Sequence, residues 1–118
     1  MLGVKDVPRA IDFWEHALGY ILREAPEINS WAVLISPIAN GSQIALMKSE
    51  TAPQEHPRIH LDLYANDRDA EVDRLLDLGA RNVDWDLYPE SSDFVVLEDP
   101  DGNRFCVIEK GDSWIGFS

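Results

Sequence analysis

The chain has 118 residues, with 10 Lys+Arg against 22 Asp+Glu, a formal charge of −12 and a pI of ≈ 4.4. That length suits a single domain, and 45% hydrophobic with 9% aromatic residues supplies enough apolar surface to exclude wholesale disorder. The charge excludes tight binding to a nucleic acid backbone or an anionic membrane surface, because both draw their affinity from Lys and Arg.

A short strand is expected at Leu2 to Lys5. A helix follows over about residues 7 to 18. Val7, Ala10, Ile11, Trp14, Ala17 and Leu18 share one face, Pro8 suits the first turn, Asp6 is a cap candidate and Gly19 is the stop. Apolar stretches rich in branched and aromatic residues then predict strands at Tyr20 to Arg23, Trp31 to Ser36 and Gln43 to Lys48, with a turn at Asn40-Gly41. Ser49 to Pro57, with two prolines, reads as a linker.

The second half repeats this order. A strand at Ile59 to Tyr64 leads to a helix over about 67 to 78, capped by Asn66 or Asp67, packed through Val72, Leu75 and Leu76, and stopped by Gly79. A short strand at Arg81 to Trp85 and strands at Phe94 to Glu98 and Asn103 to Glu109 complete it, the last two joined by Asp99-Pro100-Asp101-Gly102. Shifted by sixty residues, Gly19 falls on Gly79, Leu18 on Leu78, Ala10 on Ala70 and Asp6 on Asn66; one further residue of offset puts Asn40-Gly41 on Asp101-Gly102. The chain thus reads as a doubled β-α-β-β-β unit of the α+β class. Each half alone would expose an apolar sheet face, so the halves are expected to pack on each other or on those of a second subunit.

The sequence resembles the vicinal oxygen chelate superfamily of glyoxalase I, bleomycin and fosfomycin resistance proteins and extradiol dioxygenases. Four segments carry the resemblance in order: Asp6-Val7-Pro8-Arg9-Ala10-Ile11-Asp12-Phe13-Trp14 with Leu18-Gly19, Ile59-His60-Leu61-Asp62-Leu63, Leu78-Gly79-Ala80, and Asp99-Pro100-Asp101-Gly102-Asn103-Arg104-Phe105. The flavour is glyoxalase-like. The resemblance implies one domain over 1–118, with a first module at about 1–50, a second at about 57–110 and a tail at 111–118. It implies a curled mixed sheet around a cavity, and a divalent ion (Zn, Ni, Mn or Fe) held by the first and last strands of each module. His60 matches the metal-binding His of the second module; its counterpart in the first falls just ahead of Met1. The acidic positions fall on Ala45, which has no donor atom, and on Cys106, with Glu109 three residues on at the opposite strand parity. His60, Cys106 and Glu109 are therefore the candidate ligands of an incomplete metal site.

Strand alternation places His60, Asp62 and Tyr64 on one face and Leu61 and Leu63 on the other, toward the helices. Arg104 shares a face with Cys106, and Gln43 and Met47 share one with Ala45. The expected cavity wall is thus His60, Asp62, Tyr64, Arg104, Cys106, Gln43 and Met47, with Trp31 as a further aromatic candidate, a mixed lining suited to a small organic molecule. His60 and Asp62 form a candidate acid/base pair, since a carboxylate beside an imidazole orients the ring. His16 and His56 read as surface residues, Trp14 as core, and the tail around Trp114 as apolar enough to dock on the domain or on a partner.

These readings yield ranked functions. The first is a protein that binds or sequesters a small organic ligand, with a degraded metal site. The second is a metal-dependent lyase or dioxygenase using His60, and the third a subunit whose cavity is vestigial. No apolar run nears the roughly 20 residues of a membrane span, the N-terminus lacks a secretory apolar stretch, and the lone Cys106 cannot form an internal disulfide. A cytoplasmic homodimer is expected.

Overall fold

A computed structural model describes residues 1–27, 29–38, 41–55, 57, 59–85 and 93–109. Asn40, His56 and the 111–118 tail lie outside these. The first module comprises β1 (Leu2–Val4), α1 (Val7–Leu18), β2 (Ile21–Glu27), β3 (Trp31–Ile35) and β4 (Gln43–Lys48). The second comprises β5 (Asp62–Ala65), α2 (Arg68–Leu78), β6 (Arg81–Asn82), β7 (Phe94–Glu98) and β8 (Arg104–Glu109). Each forms a four-stranded mixed sheet, ordered β1-β4-β3-β2 and β5-β8-β7-β6. The expected α+β doubling is present, but as two separate sheets. No helix among the described residues is long and apolar enough to cross a membrane.

The repeat is closest at the helix starts. Asp6 and Asp67 cap the two helices with almost the same backbone angles, φ −130° and ψ 98° against φ −130° and ψ 99°, and accept from the amides of Arg9 and Ala70. Asp6 therefore corresponds to Asp67 rather than Asn66, an offset of sixty-one. The offset returns to sixty at Gly19 and Gly79 because α1 has 12 residues and α2 has 11. Both glycines take positive φ, 68° and 120°, as a helix terminator requires.

The helices contribute unequally. Val7, Ala10, Ile11, Phe13, Trp14 and Ala17 of α1 are buried, whereas α2 buries only Leu75. Polar contacts hold α2 instead. Glu109 Oε2 accepts from the Arg68 amide at 3.0 Å, and the Arg74 guanidinium donates to the carbonyls of His16 and Ala17 at 3.0 and 2.9 Å. Arg74 thereby caps the C-terminus of α1, joining the helices where their terminal carbonyls lack partners.

Three aromatic rings cross the module boundary. Trp14 stands edge-on to Phe13 at 4.9 Å between centroids and to Phe105 of β8 at 5.3 Å. The Asp99–Gly102 turn locks this contact. Asp99 Oδ1 accepts from the amides of Asp101 and Asn103 at 3.0 and 2.8 Å, and Oδ2 from Trp14 Nε1 at 3.2 Å. Asp101 Oδ1 reaches further, accepting from the Lys5 and Asp6 amides at 2.8 and 3.1 Å and from Arg9 Nη2 at 2.7 Å. The two halves therefore pack within one chain.

Three strands differ from the sequence reading by more than one residue. Of these, β6, expected to reach Trp85, stops at Asn82. β2 continues to Glu27 through Pro26, which an edge strand tolerates because one row of its backbone groups needs no ladder partner. β5 begins at Asp62, which pairs with Cys106, rather than at Ile59, whose counterpart in that register, Asn103, lies outside β8. One further bond, from the Cys106 amide to the Leu61 carbonyl at 2.9 Å, carries the alignment back past the strand.

Candidate functional site: the cleft between the modules

Among the described residues the edge strands β1 and β5 each bond to their own sheet only, and a cavity of ≈ 600 Å³ opens beside them. Leu2, Gln43 and Ile44 of the first module and Leu61, Leu63 and Phe105 of the second line it, above Trp14, Leu18 and Tyr20. Pro53, Gln54, Pro57 and Ile59 of the linker lie along its wall. Its polar members include His60, Asp62, Asn103 and Arg104.

Four of the residues expected in the wall are in it: His60, Asp62, Gln43 and Arg104. Cys106, Tyr64, Met47 and Trp31 are not. Tyr64 and Met47 stand on the sheet faces opposite the helices, 43% and 40% exposed, and Trp31 pairs with Met47 across β3 and β4. The parity argument put the cavity on those outer faces. It lies instead in the gap between sheet edges, which draws on both faces, so Leu61 and Leu63 line it together with His60 and Asp62. The Trp14 and linker contributions were missed because a core aromatic and a proline-rich linker carry no periodic signal of a cavity. Leu61, expected against a helix, is 37% exposed at the cleft.

At the second module's edge, His60 Nδ1 lies 3.0 Å from Asp62 Oδ1 and 3.9 Å from Cys106 Sγ. Register explains the meeting. Asp62 and Cys106 are cross-strand partners on parallel β5 and β8, and His60, two residues before Asp62, returns to the same side. Glu109 is not brought to this group: it pairs with Ala65 on the other face and accepts from the start of α2. Ala45 leaves the matching first-module position without a donor, facing Val33.

Arg104 is held rather than free. Its Nη1 donates to the Glu55 carbonyl at 2.7 Å, its Nε lies 4.0 Å from Glu98, and its guanidinium stands 5.9 Å from the Trp85 ring. Gln43 Oε1 accepts from Arg23 at 3.1 Å, which turns its amide nitrogen to other partners.

Burial, and then the charge and hydrogen bond of Asp62, push the Cys106 thiol up to about 11. A raised thiol pKa means less thiolate at any lower pH, and the thiolate is the nucleophile. Iodoacetamide should therefore label folded Cys106 much more slowly at pH 8 than the same thiol in urea, by roughly a hundredfold where ionisation alone governs the rate. Asp62→Asn should speed labelling of the folded protein. Equal folded and unfolded rates would contradict this environment. The same shift implies stability that is complete below the ordinary thiol range and declines as pH rises toward 11, because the unfolded chain ionises first.

Residues 1–108 match the Glyoxalase-like domain family. The chain belongs to that family. The glyoxalase-like domain is structurally similar to a gene product of Arabidopsis thaliana, with a TM-score of 0.72 at 24% identity over 92% of this chain and 94% of that one. A glyoxalase/bleomycin resistance protein/dioxygenase family enzyme from Burkholderia phytofirmans matches with a TM-score of 0.68 at 17% identity, covering 92% and 93%. The fosfomycin resistance protein FosX from Listeria monocytogenes, complexed with Mn(II) and 1S,2S-dihydroxypropylphosphonic acid, matches with a TM-score of 0.69 at 16% identity, covering 91% and 83%. No curated protein matches the sequence. The glyoxalase-like domain thus has the vicinal oxygen chelate fold, with the two sheets left unjoined.

The donor set at His60, Asp62 and Cys106 suits a divalent ion: an imidazole, a carboxylate and a thiol place one atom each within 4.8 Å of one another. These three would hold it, and an ion there would supply Lewis acidity and lower the proton affinity of bound water. Without invoking it, His60 and Asp62 already form an oriented imidazole–carboxylate pair able to hold or pass a proton at the cavity wall.

Proposed function

We propose that this glyoxalase-like domain binds a small, partly apolar organic molecule carrying an oxygen acceptor, in the cleft between its modules. The observation that carries the reading is the ≈ 600 Å³ cavity, whose apolar wall is interrupted by the side chains of Gln43, His60, Asp62 and Arg104. That volume is in the range of small-molecule sites, and a few placed polar groups on an apolar lining are what fix a ligand's orientation. Gln43, His60 and Arg104 offer hydrogen to a carboxylate, phosphonate or carbonyl oxygen, while Leu2, Ile44, Leu61 and Leu63 remove the remainder from water. Binding alone satisfies this geometry, as in sequestration.

Saturation-transfer NMR with a panel of small aryl and alkyl carboxylates and phosphonates tests it. Panel members should bind the native protein and lose at least tenfold in affinity in Leu61→Trp, which fills the cleft from an exposed position. Equal binding by the two proteins would place the ligand elsewhere. A second reading, metal-dependent lyase or dioxygenase activity using His60, is favoured by the convergence of His60, Asp62 and Cys106. Activity that appears only with an added divalent ion and vanishes in His60→Ala would select it over binding alone.

A further inference from the structure

The donors at the cleft do not follow the arrangement implied by the family resemblance, in which strands of both modules supply ligands, a histidine and an acidic residue from each. Ala45 offers nothing from the first module, and Glu109 is engaged at the start of α2. Three donors nevertheless meet within the second module, and one of them is sulfur.

We infer that His60, Asp62 and Cys106 form a one-module site for a thiophilic divalent ion of the zinc type, with its open position toward the cleft. The geometry is close to what such an ion needs. Metal–nitrogen and metal–oxygen bonds of about 2.1 Å and metal–sulfur bonds of about 2.3 Å separate the donors of a tetrahedral site by about 3.5 Å. The His60–Asp62 and His60–Cys106 separations are 3.0 and 3.9 Å, and all three donors lie within 4.8 Å of one another, close to that spacing. Asp62 and Cys106 are cross-strand partners, and backbone pairing fixes their relative position before any ion arrives. His60 precedes the strand and can adjust.

Softness decides which ion. A thiolate favours zinc or cobalt(II) over the harder manganese or magnesium, and three protein ligands with one vacant position is the arrangement of a zinc site open to an exogenous ligand. His60 and Asp62 both line the cleft, so that vacancy faces the space proposed for the organic ligand. The inference concerns the ion and does not depend on the organic ligand. A domain that fails to bind cobalt can still bind a carboxylate, and the converse holds.

Cobalt(II) titration of the purified domain tests it, because a thiolate–cobalt bond adds a near-ultraviolet charge-transfer band and tetrahedral coordination intensifies the visible bands. Both should saturate at one equivalent. One equivalent of zinc should abolish them, and a hundredfold excess of manganese should leave them largely intact. Cys106→Ser should lose the charge-transfer band, and His60→Gln and Asp62→Asn should each weaken cobalt binding at least tenfold, with circular dichroism confirming the fold. Asp12→Asn, on the exposed face of the first helix, should change nothing. Octahedral, thiolate-free cobalt spectra in the native protein, displacement by equimolar manganese, or full affinity in Asp62→Asn would each overturn the assignment, and the first of these needs no variant.

Discussion

Asp99→Asn is expected to destabilise the domain by about 3 kcal/mol, lowering Tm by roughly 10 °C, although the two side chains have the same shape. Oδ1 of Asp99 accepts two backbone N–H groups and Oδ2 accepts the Trp14 indole, with Asn103 Nδ2 at 3.3 Å. An amide placed here must point its NH₂ at one of these pairs of donors, whichever way it turns. The site is fully buried, so water cannot relieve the conflict. Burial raises the Asp99 pKa against the pull of these hydrogen bonds. The folded state therefore holds that proton more tightly than the unfolded chain, and the penalty for ionisation eases as pH falls toward the ordinary carboxylate range. Trp14→Phe removes one of the conflicting donors. The double variant should accordingly cost less than the two single ones together, a coupling that urea denaturation can measure. Additive losses would mean that Asp99 and Trp14 act independently.

Phe105→Ala is expected to cost about 4 kcal/mol, the usual toll for deleting a buried aromatic ring. Phe105 is 2% exposed, touches Trp14 and Phe13 across the module boundary, and lines the cleft. Its removal should both loosen the modules and enlarge the site. Phe105→Leu, which keeps most of the volume, should lose no more than about 1.5 kcal/mol. Denaturant titration of the pair reads the difference, and similar losses would show that the ring does not bridge the modules.

Much of this was legible in the sequence because its signals are local. The first helix has a cap, an apolar stripe and a terminal Gly19, and it runs from Val7 to Leu18 as expected. The Gln43–Lys48 and Phe94–Glu98 strands alternate or cluster apolar residues between turn formers and kept their bounds. Strand alternation set His60 and Asp62 on one face, and their side chains meet there. What escaped was set by pairing across the chain. Ile59 to Leu61 is as apolar as a strand, yet Ile59 is 91% exposed, because β8 offers no partner so far back. The position of the cleft escaped for a related reason. Alternation tells which face a side chain takes, but only the separation of β1 from β5 shows that the space lies between edges rather than over a face.

Glu109 shows the same limit. Its sequence position suggested a metal ligand, while its opposite parity argued against one, and the pairing of Ala65 with Glu109 puts it at the start of α2. Arg104 was expected as a ligand contact and does line the cleft, but Glu98, the Glu55 carbonyl and Trp85 already fix its guanidinium. A preset donor of this kind costs a ligand less to engage.

Amide chemical-shift mapping with the tightest-binding carboxylate or phosphonate of the panel tests the central claim most directly. The cleft predicts shifts concentrated at Leu2, Gln43, Leu61, Leu63 and Phe105, residues of both modules that meet at that space, with Tyr64 and Met47 on the outer faces unmoved. Shifts centred on those outer faces, or confined to one module, would contradict it.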